Sequence, residues 1–290
     1  MNAQLSSFFL PLNTINFLFT LFPYNRELKN CIPSFELDRM RFDLICLVNS
    51  KRRINMGLYD RNYIQQGTHE STHEHTRLNE SSLGLFIKQT YQLFAASLLA
   101  ASAGAYVGIG MASAIASWYW GLVILEFVFL FGLFAAKKKA GLNMVLLFGF
   151  TFLTGLTLTP LLSSILGMKG GASIVANAFI LTTVAFGGLS VFAMNTKRDF
   201  SAMGKMLFIT LIVVVVAGVI NIFFHSPILQ LAIASVSSIL FSAFILYDTQ
   251  NIIRGAYETP IEGAIALYLD FLNLFISLLQ ILGIFGSRDE

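Results

Sequence analysis

The chain has 290 residues, of which 56% are hydrophobic and 12% charged, with a net charge of +3. Soluble domains carry about 25% charged residues, so this supply cannot clothe a water-facing surface, and a mean hydropathy of +0.70 points to lipid instead. No basic face with interleaved aromatics is present, which excludes nucleic acid as a partner.

Residues 1–55 read as an N-terminal extension of mixed character. Their apolar patch at 8–22 contains Pro11, Asn13 and Asn16 and is closed by Pro23. It is short against the ~20 residues that a span needs. Residues 1–10 also lack the Lys or Arg that opens a signal peptide. The composition breaks before Met56-Gly57-Leu58-Tyr59-Asp60, which would serve as a start, so residues 1–55 are expected to be non-native sequence. The two cysteines, Cys31 and Cys46, both lie in this extension and cannot build a disulfide framework for the rest of the chain.

Residues 56–88 read as a polar cytoplasmic tail. Within it His69-Glu70-Ser71-Thr72-His73 fits the H-E-x-x-H pattern of zinc proteases, and His75 lies close by. The segment is polar throughout and has no apolar stripe to pack a helix. A catalytic zinc needs a rigid surround, so a solvated tail is expected here, with incidental weak metal binding as the lesser alternative.

From residue 89 the pattern changes to apolar runs of about 20 residues, each long enough at 1.5 Å per residue to cross the hydrocarbon. They fall at 89–111, 114–136, 143–164, 171–194, 205–224, 228–250 and 263–285. Backbone groups in lipid must bond within their own segment, so unalternating runs of this length are helices. The expected architecture is an all-α membrane protein, a seven-transmembrane-helix bundle over 89–285. Small residues crowd the first run, among them Ala95, Ser97, Ala100, Ala101 and Gly104, and they allow close helix contact. Pro160 is expected to kink or end the third helix.

Lys and Arg concentrate on alternate connections. Arg77 and Lys88 precede the first run. Lys137, Lys138 and Lys139 follow the second, Lys197 and Arg198 the fourth, and Arg254 the sixth. The other side offers Lys169, His225 and Arg288. By the positive-inside rule the N-terminus is cytoplasmic and the C-terminus outside, in the cell (inner) membrane if the source is bacterial.

Three acidic residues interrupt the apolar runs: Glu126 in the second, Asp248 in the sixth and Asp270 in the seventh. Each costs about 2.5–3.5 kcal/mol or more at a helix centre. The connection at 254–262 joins the last two helices, and the midpoint between the aspartates falls inside it. Both carboxyls are therefore expected at similar depth, on neighbouring antiparallel helices. Two carboxyls in one dry site cannot both ionise cheaply, so the pair would share a proton and titrate as a unit. That is a pH sensor or gate. Deprotonated, the pair offers hard oxygen ligands for Ca²⁺. The bland alternative is a satisfied contact that fixes helix packing.

Asp270, Asn273, Ser277 and Gln280 recur at steps of three, four and three on one helical face. This stripe reads as a pore or cavity lining, or else as interhelical hydrogen bonding. Glu126 reads equally as a midplane gate or ion ligand and as a protonated, satisfied carboxyl. Lys137 is a possible counter-charge to the aspartates. Lys138 and Lys139 read as snorkelling anchors.

Tyr247-Asp248 is similar to the tyrosine–aspartate motif of intramembrane aspartyl proteases. The second aspartate stands in Leu267-Tyr268-Leu269-Asp270, not in Gly-x-Gly-Asp, and Gly-x-Ser-x-Gly is absent too, so no enzyme is expected.

The run Tyr247-Asp248-Thr249-Gln250, with Ala266-Leu267-Tyr268-Leu269-Asp270-Phe271-Leu272-Asn273-Leu274-Phe275 and then Leu278-Leu279-Gln280-Ile281-Leu282-Gly283, closely resembles the Bax inhibitor family, the transmembrane Bax inhibitor motif proteins. Tyr91 and Thr154-Gly155-Leu156-Thr157 fit it as well, and the compact loops resemble its bacterial branch. The resemblance spans about residues 85–285. It implies a seven-helix fold with the last helix central, and a pH-sensitive passive Ca²⁺ leak gated by an aspartate pair, here Asp248 and Asp270. Glu126 looks like the family's acidic residue of the second span. Lys137 stands where relatives can place an arginine that pairs with the sixth-span aspartate, but an ammonium lacks the two-pronged grip of a guanidinium. The partners implied are the lipid bilayer, Ca²⁺ as the transported ion, and protons, with no cofactor. A proton-coupled cation transporter and a non-conducting regulatory membrane scaffold remain as rival readings.

Overall fold

The computed structural model describes residues 60–136 and 139–286, with side chains from residue 82 onward except that of Ala140. The expectations for residues 1–55, for Lys137 and Lys138, and for the side chains of the His69–His75 motif lie outside that range.

Among the described residues seven α-helices follow one another. They are α1 Asp60–Gly110, α2 Ala112–Ala135, α3 Ala140–Leu166, α4 Gly171–Asn195, α5 Gly204–Phe224, α6 Pro227–Ile253 and α7 Pro260–Gly286. A short 3₁₀ turn, Ser201–Met203, precedes α5, and no strand occurs among the described residues. All seven helices carry a stretch long and apolar enough to cross a membrane. The chain is thus an all-helical membrane protein with the spans that the apolar runs predict, to within a few residues at most ends.

Two details differ from expectation. The apolar stretch of α1 begins at Ser82, not Gln89, and the helix itself begins at Asp60, inside the segment expected to be a solvated tail. Adding residues to an existing helix costs far less than nucleating one, so a span can propagate into polar sequence. Pro160 does not end α3, which runs on to Leu166.

Consecutive spans alternate in direction, so the connections at 136–139, 196–203 and 254–259 share one end of the bundle. That end carries Lys139, Lys197, Arg198, Lys205 and Arg254 and is called the basic end. At the opposite end the α5–α6 turn is tight. Ser226 caps α6 by accepting from the Leu229 N–H at 3.3 Å, and Pro227 opens the helix where its missing N–H costs nothing.

Burial divides the helices. On α2, α4 and α5 large apolar side chains such as Trp118, Ile124, Val184 and Val213 are exposed, as lipid-facing side chains must be. Most residues of α7 are buried, and this helix packs against α6, α4 and α3. Phe94 of α1 joins it through Phe271, with ring centroids 6.0 Å apart. The small residues of α1 serve α3. A Cβ at Gly104 would collide with the carbonyl oxygen of Phe152, and one at Gly155 with that of Ala101, so the two backbones touch.

Candidate functional site

The last turns of α6 spread four consecutive side chains over three neighbours. Tyr247, Asp248, Thr249 and Gln250 are all buried. Thr249 donates to Ser190 Oγ of α4 at 3.4 Å. Gln250 grips the α4–α5 connection: its Nε2 donates to the Arg198 carbonyl at 2.7 Å and its Oε1 accepts from the Phe200 N–H at 2.9 Å. An ion pair from Arg254 to Asp199 at 2.6 Å closes over that contact from the exposed side.

Asp248 turns toward α7. Its carboxyl lies within hydrogen-bond reach of that of Asp270, so the structure brings together the two aspartates singled out from sequence. They are not equidistant from the turn. Asp248 lies about one and a half turns before the end of α6, and Asp270 nearly three turns into α7.

Asp248 Oδ1 also accepts from the Tyr257 hydroxyl at 2.8 Å and from Asn251 Nδ2 at 3.4 Å. Asp270 Oδ2 is buried and has no hydrogen-bond partner. A buried acceptor left unmade costs about 1–3 kcal/mol. Asp270 Oδ2 shares that state with Asn273 Oδ1, one turn further along α7. Among the described residues no third His, Cys, Asp or Glu gathers with the pair to form a larger metal-holding group.

The stripe below Asp270 is buried throughout. Asn273 and Ser277 turn back on their own helix, donating to the Leu269 carbonyl at 2.8 Å and the Asn273 carbonyl at 2.7 Å. Asn273 Oδ1 remains without a partner. Gln280 accepts from Gln230 Nε2 of α6 at 2.9 Å, and Gln230 Oε1 accepts from Asn221 Nδ2 of α5 at 3.0 Å. The stripe thus starts at the carboxyl pair and ends in an amide chain across three helices.

Glu126 belongs to a different cluster. It is buried on α2 and accepts from the Thr157 hydroxyl of α3 at 2.5 Å. One turn earlier on α3, Thr154 bonds to the Tyr268 hydroxyl of α7. Hydroxyl groups of Thr154, Thr157 and Tyr268 therefore link α2, α3 and α7 beside this carboxyl.

Sequence reasoning missed Tyr257, Asn251 and Tyr268 as partners of these carboxyls and their neighbours, and it gave Thr157 only as a group able to bond to a carbonyl or across helices. Tyr257 sits in a connection with no apolar period to orient it. The threonines of α3 are visible in the sequence as hydrogen-bonding groups, but the helix they face is not.

The family model described as inhibitor of apoptosis-promoting Bax1 matches residues 83–287. A Campylobacter jejuni protein is 61% identical over 240 residues, covering 80% of this chain and all of the relative. A Helicobacter pylori protein is 50% identical over 235 residues, 81% of this chain and all of the relative. A Vibrio cholerae membrane protein is 42% identical over 208 residues, 70% of this chain and 91% of the relative.

Proposed function

The chain belongs to the Bax inhibitor family, that of the inhibitor of apoptosis-promoting Bax1, and from that premise we propose that it is a passive, pH-responsive leak for Ca²⁺ gated by Asp248 and Asp270. The contact between those two carboxyls, across the α6–α7 hairpin, is the observation that carries the reading.

The physics is that of two like charges in a dry place. With one proton between them the carboxyls share a hydrogen bond, and the two helices stay joined. Without it they repel, and the pair must part, take up water or accept a cation. Ca²⁺ prefers six to eight oxygen ligands. The aspartates and water supply such a set transiently, which suits passage better than storage. Asn273, Ser277 and Gln280 continue the polar face away from the pair, and Glu126 is a third carboxyl in the interior for the ion to meet. The basic end faces the cytoplasm on the same reading, because Lys and Arg are retained on that side of a membrane. The function needs no cofactor and no catalytic step.

Purified full-length protein in liposomes with an entrapped Ca²⁺ indicator tests this. Flux should follow the Ca²⁺ gradient without an obligatory counter-ion and should change with pH. Asp248→Asn and Asp270→Asn should each abolish the pH dependence. Strict exchange of protons for Ca²⁺ would make the protein a transporter. Flux that neither substitution alters would remove the gate and leave a membrane scaffold.

A further inference from the structure

We propose that Tyr257 is a lid over the aspartate pair, closing the way from the basic end of the bundle to Asp248 and Asp270. The inference rests on the reading of that pair as the gate and adds the element that controls access to it.

The connection carrying Tyr257 is fixed at both ends. Gly255, at φ +67°, stops α6 in the left-handed conformation that glycine adopts freely. The Gly255 N–H donates to the Ile252 carbonyl at 3.1 Å and the Ala256 N–H to that of Asn251 at 2.9 Å. These two bonds satisfy the helix end and fold the chain back over it. At the start of α7, Thr259 Oγ1 accepts from the Glu262 N–H at 3.3 Å, and the Glu262 carboxylate accepts from the Glu258 N–H at 3.0 Å. These two bonds fix the entry to α7.

Between those anchors stands Tyr257, half-buried. Its hydroxyl reaches Asp248 Oδ1 at 2.8 Å, while the residue as a whole is only partly buried. It thus touches the buried carboxyl from the outside, where a cover has to sit. Burial first, and then the Asp248 carboxyl beside it, hold the phenol well above its ordinary pKa. It therefore stays a donor at any physiological pH, and the lid is held shut by one hydrogen bond and the packing of one ring. Rigid ends with a single weak latch between them describe a flap that opens by side-chain rotation, without unfolding either helix.

The test reads access directly, so it does not depend on conduction. Full-length protein in lipid vesicles is treated with a water-soluble carbodiimide and glycine ethyl ester at fixed pH. Amide formation at Asp248 and Asp270 is then quantified by peptide mass spectrometry for wild type, Tyr257→Phe and Tyr257→Ala. Tyr257→Ala removes ring and latch and should raise the labelling rate about tenfold, equivalent to about 1.4 kcal/mol of lost closure. Tyr257→Phe keeps the ring and should raise it about threefold. Wild-type labelling in folded Tyr257→Ala overturns the lid. If that variant does not fold, wild-type labelling in Tyr257→Phe overturns it. Faster labelling in a protein that passes no Ca²⁺ would overturn the leak and keep the lid. Ca²⁺ flux with unchanged labelling would do the reverse.

Discussion

The α1–α3 seam and the α6–α7 hairpin join neighbouring helices by opposite means. At the seam backbone meets backbone: Gly104 lies on the Phe152 carbonyl and Gly155 on that of Ala101. In the hairpin the meeting is between long polar side chains, Asp248 with Asp270 and Gln230 with Gln280. Lipid gives helices no hydrophobic reason to associate, so close packing and hydrogen bonds must do it. The two solutions differ in what they permit. A backbone contact has one geometry and no substitute, whereas a carboxyl or amide can exchange its partner for water, a proton or an ion. The seam suits a frame, and the hairpin suits a moving part.

The sharpest way to break this contrast is to put a side chain in the seam. Gly155→Leu forces the backbones apart along the whole contact. It should destabilise the protein by about 3 kcal/mol or more, at or beyond the upper range for overpacking. Thermal unfolding in detergent would show a larger loss than any polar substitution in the hairpin produces. A variant as stable as wild type would mean the seam is not a frame.

Thr157→Val asks whether a polar contact outside the hairpin behaves like the seam or like the gate. It removes the hydroxyl that Glu126 accepts from and keeps the shape of the side chain. A buried carboxyl without that donor should cost about 2 kcal/mol, and Thr157→Ser should restore most of it. Within the hairpin, Gln230→Leu takes away the acceptor of Asn221 and the donor to Gln280. About 1 kcal/mol is expected, because amides find other partners. The double variant Gln230→Leu/Gln280→Leu should cost less than the two single changes together, since each single change already breaks the bond between the two glutamines.

The sequence displays the hairpin better than the seam, for a physical reason. A carboxylate in an apolar run is conspicuous because lipid makes it costly, and helix period then assigns it a face. Asp248, Asp270 and the stripe to Gln280 are legible in that way. Small residues are conspicuous only as a group. Ala95, Ser102 and Ala103 are exposed, and only Gly104 with its neighbours on one face meets α3. Nothing in the run of small residues says which of them form the contact until the partner helix is placed. The aspartates meet although they stand at unequal distances from the helix ends, and the connection between those ends is not symmetric. The glycine stop after α6 and the threonine cap before α7 make it asymmetric, and they bring Tyr257 over Asp248. Tyrosine in a loop carries no pattern that announces such a role.

The smallest effect should come from the clamp at the basic end, and its value is that it can be titrated. Asp199 is exposed, and its pKa is lowered from 3.8 to about 2, chiefly by the Ser201 N–H and hydroxyl and then by Arg254. A carboxyl held below its ordinary value contributes stability that is whole above that value and is lost as the pH falls through the folded one. Asp199→Asn should therefore unfold slightly earlier than wild type at pH 7. The difference should narrow between about pH 4 and pH 2 and vanish below. Arg254→Gln should do less than Asp199→Asn, because the Ser201 bonds survive it. Only the Arg254 share should shrink in high salt, where an exposed ion pair is screened. Indistinguishable melting curves for Asp199→Asn and wild type at pH 7 would leave the α4–α5 connection anchored by Gln250 alone. The clamp would then belong with the polar contacts of the hairpin and not with the frame.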